Sequence, residues 1–197
     1  MNSTTTKSWN TFLSMKEIEE KANTIRLNFY EDNSLIDPVK LAGLMGISVY
    51  SAIFGNIYNA GQVTNRSGAP RIFVDTDIEK KHFNFIVAHE IGHWILHLQD
   101  TVGTIIDKSH DMKKSKMTIH DNLYLDERLR REVAANWFAG ALLMPKTMLV
   151  KKTEPMTEIA VVKLAQDFEV TEKTMLYRLK CLDLIQSLLP GRKLETV

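Results

Sequence analysis

Two histidines four positions apart, with a glutamate beside the first, form the run His89-Glu90-Ile91-Gly92-His93. The run lies in an apolar stretch, Phe83 to Leu98, whose composition predicts a buried helix. Helical residues i and i+4 lie about 40° apart around the axis, so His89 and His93 face the same way. Two imidazoles on one face can take two corners of a Zn2+ tetrahedron, and Glu90 beside them can take a proton from an attacking water. A hydrogen-bonded pair of core histidines is the plain alternative. Yet three ionisable groups among Phe85, Ile86, Val87, Ala88, Ile91, Trp94 and Ile95 would cost several kcal/mol to bury without compensation, which a metal supplies. With six His and thirteen Glu in 197 residues, chance yields the five-residue pattern in about one such chain per hundred, so the motif is informative without being decisive.

A catalytic zinc needs a third protein ligand and one open position. The remaining histidines are His82, His97, His110 and His120, and the single cysteine, Cys181, is remote. His97 lies one turn beyond His93, but ligands at i, i+4 and i+8 span about 12 Å of straight helix, too far for one ion. A carboxylate from a second helix is the better solution. The apolar stretch from Asp126 to Met144 carries Glu127 and Glu132, and Ala134-Ala135-Asn136 after Glu132 lets helices approach closely. Glu132 is therefore the expected third ligand, against the alternative of an ion pair with Arg128 or Arg131. Zinc suits two histidines and a carboxylate, and manganese or iron can occupy the same ligands.

Composition sets the frame. An apolar fraction of 44% and a charged fraction of 25% are those of an ordinary globular protein. A net charge of +1 provides no global field toward nucleic acid, membranes or acidic substrates. One cysteine excludes an internal disulfide and a cysteine-based zinc site; Cys181 reads as a small apolar residue on the last helix. No run approaches the ~18 apolar residues of a membrane span. Met1 to Lys7 is polar and lacks a secretory apolar core, which together with the cysteine usage predicts a cytoplasmic protein.

The elements that must position the motif follow from periodicity and punctuation. Residues 1–8 read as disordered, and 9–30 show helical spacing at Phe12, Met15, Ile18, Ala22, Ile25 and Phe29. Asp37-Pro38 opens a second helix that Gly46 ends. Ile47 to Phe54 reads as a strand, with a hairpin after it at Gly55, Asn56, Asn59 and Gly61. Gly68-Ala69-Pro70 is a turn, Arg71 to Val74 a short strand, and Asp77 the expected cap of the motif helix. Residues 99–121, with Lys113-Lys114-Ser115-Lys116, read as a long mobile surface connection. Pro145 stops the Glu132 helix, and two short helices follow at Glu158–Asp167 and Glu172–Asp183, the second capped by Thr171. The expected class is α+β, with a small sheet from residues 47–75 flanking the cleft, where a strand can pair with an extended substrate.

With both motifs in view, the chain resembles the ImmA/IrrE metallopeptidases, a gluzincin-like family. The resemblance rests on His89-Glu90-x-x-His93 and on Glu132-x-x-Ala135-Asn136, which leads through Phe138 to Leu142-Leu143-Met144-Pro145. The stretch from Leu164 to Thr171 and Arg178-Leu179 is similar too, so it covers about residues 35–185. It implies a minimal zincin-like domain over 9–150 and a helix-turn-helix-like C-terminal subdomain over 151–197. It also implies a zinc-dependent endopeptidase with His89, His93 and Glu132 on the metal and Glu90 as catalytic base. Asn136 is a candidate to fix a ligand, and His120 and Tyr124 are candidates to stabilise the oxyanion. The implied substrate is a helix-turn-helix repressor in a stress, phage or mobile-element response. Two other functions compete: a non-catalytic binding module acting on a transcription regulator, and one half of a toxin–antitoxin or phage-immunity pair. Lys163, Lys173, Arg178 and Lys180 give the tail a modest basic surface, too sparse to predict direct nucleic-acid binding.

Overall fold

The computed structural model describes residues 13–31, 34–54, 59–99, 102–108, 127–152 and 158–185. Helix α1 (Met15–Phe29) starts with a capping box: the Ser14 side chain accepts from the Glu17 N–H and the Glu17 carboxylate accepts from the Ser14 N–H. Helix α2 (Pro38–Leu44) is capped by Asp37, whose carboxylate accepts from the N–H groups of Val39 and Lys40. Gly46 then turns the chain with φ +75°, a conformation that favours glycine.

Strands β1 (Ser48–Ala52), β2 (Asn59–Thr64), β3 (Arg71–Asp75) and β4 (Thr104–Lys108) form one sheet in the order β1-β3-β2-β4. β3 alternates as a half-buried strand should: Ile72 and Val74 point into the core, while Phe73 stacks on Tyr50 of β1 at 5.4 Å on the other face. β1 runs parallel to β3, and β2 runs antiparallel to both β3 and β4.

Two expectations change here. β1 and β2 do not form a hairpin: β3 lies between them, and the antiparallel connection is β2 to β3 through Gly68, at φ +88°. The stretch read as a loop from residue 99 contains β4, an edge strand that gains its ladder from β2. The rest of that stretch, including the Lys113–Lys116 run, lies outside the described residues, as do residues 1–8.

Helix α3 (Lys80–His93) carries the histidine motif, and every residue from Phe85 to His93 is buried. A helix apolar all round must be covered all round. The sheet packs on one side of α3, and helix α4 (Glu127–Leu143) packs on the other. Asp77 does not cap α3. The helix begins after Glu79, without a side-chain cap, and Asp77 instead turns onto the Asp75 carboxylate. Past His93 the helix widens into a π turn, Trp94–Leu98.

Pro145 ends α4 and leads directly into helix α5 (Lys146–Lys152), a short element not expected from the sequence. Helices α6 (Glu158–Asp167) and α7 (Glu172–Cys181) follow, with the Thr171 side chain accepting from the Thr174 N–H. Val161, Leu164, Phe168, Met175 and Leu179 join the same core as α3 and the sheet. Arg178 of α7 is buried rather than part of a basic surface: its Nε donates to the Met144 carbonyl at 3.1 Å and its Nη2 to Glu19 of α1 at 2.5 Å. Lys163, Lys173 and Lys180 remain exposed. Among the described residues, no helix is long and apolar enough to cross a membrane.

Candidate metal centre

His89 and His93 project from α3 toward α4, where Glu132 projects back. His89 Nε2 lies 3.3 Å from Glu132 Oε2, and His93 Nε2 lies 3.4 Å from Glu132 Oε1. One donor atom from each of the three residues falls within 4.8 Å of the others. For ligands ~2.05 Å from a tetrahedral ion, neighbouring donors are about 3.3 Å apart, so both contacts have the length of a tetrahedron edge. They do not have hydrogen-bond geometry: His93 Nε2 and Glu132 Oε2 are buried without a hydrogen-bond partner. Buried polar atoms left this way are costly, and a cation between them removes the cost. Nitrogen, nitrogen and carboxylate oxygen are the donor set that zinc takes in open sites. Residues and group therefore fit.

Electrostatics favour the ligating forms. Burial pushes the Glu132 carboxyl upward, but the two facing imidazoles outweigh it and hold the group well below the usual range, hence ionised. Burial, then the neighbouring His89, lower His93 to about 4 against an opposing pull from Glu132. It is thus a neutral imidazole near pH 7, as a ligand must be.

Local sequence explains why the helices come this close. A Cβ on Gly92 of α3 would stand 3.1 Å from Phe138 Cδ1 and 3.2 Å from the Ala135 carbonyl oxygen of α4. Glycine facing alanine lets the backbones approach, and Glu132 sits one turn before that contact. Asn136, one turn after Glu132, places its Oδ1 3.0 Å from His89 Nδ1. There it accepts the Nδ1 proton and leaves the Nε2 lone pair for a metal. Glu127 stays on the surface and pairs with Arg131. Arg131, one of the two ion-pair partners weighed for Glu132, is thereby engaged by Glu127.

Glu90 is fully buried and lies under β2. A Cβ on Gly61 would come within 2.5 Å of Glu90 Oε1 and 2.7 Å of Ile86 Cγ2, so the strand can cross the carboxylate only as glycine. Sequence reading treated Gly61 as turn punctuation. The available signal was a glycine inside a strand, which marks a close approach. His97, which the sequence sets one turn beyond His93 and rejects as a ligand, turns out to contact that histidine. Its Nδ1 lies 3.1 Å from His93 Nδ1, although it is too far along the helix to join the ligands. Burial, then the neighbouring His93, lower it to about 3, so it is neutral as well. His120 and Tyr124 lie outside the described residues.

A histidine-bearing helix between a sheet and a second helix that supplies a carboxylate is the framework of an HExxH metallopeptidase. The chain belongs to a specific family of that kind, the IrrE N-terminal-like domain (Peptidase_M78), whose model matches residues 42–180. Among solved structures, a Mycobacterium tuberculosis transcriptional regulator is similar, with a TM-score of 0.52 and 20% identity. The match covers 83% of this chain and 47% of that one, so this chain spans about half the regulator's length. The likeness shows a shared α+β fold. No curated protein sequence matches the chain.

Proposed function

We propose that this protein is a zinc-dependent endopeptidase whose substrate is a regulatory, repressor-type DNA-binding protein. The observation that carries the reading is the buried cluster of His89, His93 and Glu132 with Glu90 alongside, in a chain of a metallopeptidase family. Bound there, Zn2+ supplies Lewis-acid polarisation of the scissile carbonyl and makes water acidic enough to react near pH 7. Glu90 takes the proton from the attacking water and returns it to the leaving amine, a transfer worth about 10²–10⁴ in rate. Asn136 holds the His89 ring, and the apolar walls of α3 and α4 keep bulk water from the donors. The repressor-type substrate, and its stress, phage or mobile-element setting, follow from the family resemblance.

A second reading, a regulatory binding module without catalysis, draws on the similar fold being that of a transcriptional regulator. Metal analysis separates the two. Protein purified without added metal is assayed by mass spectrometry as wild type, Glu132→Ala and Glu90→Gln. The protease reading expects about one zinc per chain in wild type and Glu90→Gln and none in Glu132→Ala, because three ligands are needed. It further expects Glu90→Gln to retain a bound repressor substrate uncut, with cleavage down by at least about a hundredfold. A wild-type chain that stays metal-free when zinc is offered moves the conclusion to the binding module.

A further inference from the structure

The two candidate histidine ligands are held differently. His89 has an amide oxygen, from Asn136 on the neighbouring helix, at its Nδ1. His93 has an imidazole nitrogen, from His97 on its own chain one turn ahead, at 3.1 Å. The two rings lie 5.2 Å apart between centroids and are tilted by 48°. His97 begins no ladder of exposed charge: it is half-buried in the π turn beside the motif. In a straight α-helix, position 97 would be rotated about 80° from His89. The π turn widens the spiral at this point, and such turns recur at functional sites.

We propose that His97 is a positioning residue for the metal centre, accepting the Nδ1 proton of His93 and so fixing the tautomer that presents Nε2 toward Glu132. The inference rests on the metal-binding reading above and names a residue through which one ligand is oriented.

Proton counting gives the direction of the bond. Only one of two facing Nδ1 atoms can carry the proton. If His97 donated, the neutral His93 ring would carry its proton on Nε2, pointing an N–H at the place where the donors converge. With His97 accepting, His93 Nε2 has a free lone pair 3.4 Å from Glu132 Oε1, and the His97 proton sits on its own Nε2. Only this arrangement leaves all three donor atoms able to ligate. It makes His97 the counterpart of Asn136, and partners of this kind are worth about 10–100-fold in metal affinity.

The test compares zinc dissociation constants, measured by competition with a chromophoric chelator, for wild type, His97→Leu, His97→Asn and His97→Gln. An Asn Oδ1 falls near the position of a histidine Nδ1, whereas a Gln amide reaches the Nε2 position instead. The expected result is affinity weakened about 10–100-fold in His97→Leu and His97→Gln and largely recovered in His97→Asn. Absorption spectra of the Co2+-substituted proteins should show the same grouping. If His97→Leu does not fold, the Asn and Gln variants still decide the question, because both keep a polar side chain of similar bulk. Asn and Gln variants of equal affinity, or all variants equal to wild type, overturn the positioning role while leaving the metal centre intact. A wild-type chain that binds no zinc overturns both readings.

Discussion

At the scale of single residues, the candidate site depends on groups that are absent as much as on groups present. Gly61 offers no side chain where a Cβ would stand 2.5 Å from Glu90 Oε1. Gly61→Ala should destabilise the protein by about 1–3 kcal/mol through overpacking, read as a lower denaturation midpoint. The same substitution should reduce cleavage far more than zinc content, since it displaces Glu90 and touches none of the three donors. Zinc lost in step with cleavage would count against this division of labour. The donors were legible because helical spacing fixes how i and i+4 project, and because Ala134-Ala135 beside Glu132 announced a close helix contact. Gly61 was not legible, because which backbone passes over Glu90 depends on how distant strands pair. Nor was the bond between His93 and His97, which depends on a local widening of the helix.

Among the elements, two of the three expected caps form as local chemistry dictates: Asp37 and Thr171 each bond N–H groups two to three residues ahead, whereas α3 starts after Glu79 and leaves Asp77 outside it. Sheet order was hidden, since β1 pairs with β3 rather than with β2, the next strand along the chain, and no turn residue encodes a parallel partner. β4 was hidden as well: five residues flanked by Gly103 acquire strand character only through β2. The contact between α3 and α4 carries the most consequence. Gly92→Ala would press a methyl group against Phe138 and the Ala135 carbonyl oxygen, 3.1–3.2 Å away. Moving the helices apart also moves Glu132 away from His89 and His93. The expected outcome is a stability loss of about 1–3 kcal/mol together with weakened zinc affinity, checked by urea denaturation and chelator competition on one preparation. A variant that loses stability yet binds zinc as tightly as wild type would show that the donors tolerate a wider gap.

Across the whole molecule, the buried imidazoles set a pH dependence. His93 and His97 are lowered to about 4 and about 3 from 6.5, so the unfolded chain takes up protons first as pH falls. Their contribution to stability is complete above pH 6.5 and is lost as pH drops through about 4 and then 3. Glu132, also lowered, acts in the same sense below its ordinary 4.5. Melting of the metal-free protein should therefore be nearly level down to about pH 6.5 and fall below it. A melting temperature that rises on acidification to pH 5 would contradict the neutral-imidazole assignment. The single core that sustains this site is closed by distant partners. Glu19 of α1 accepts from Trp137 of α4, 118 positions on, and from Arg178 of α7, 159 positions on. A chain made at roughly 5–20 residues per second completes α1 about 8–30 s before Arg178 exists. Ile18 and Ala22, fully covered in the finished fold, face solvent until α4, the helix that packs on α1, has been made. The first helix thus carries an apolar face that the nascent chain leaves open until a helix roughly a hundred residues on arrives, and its last bond closes only with α7.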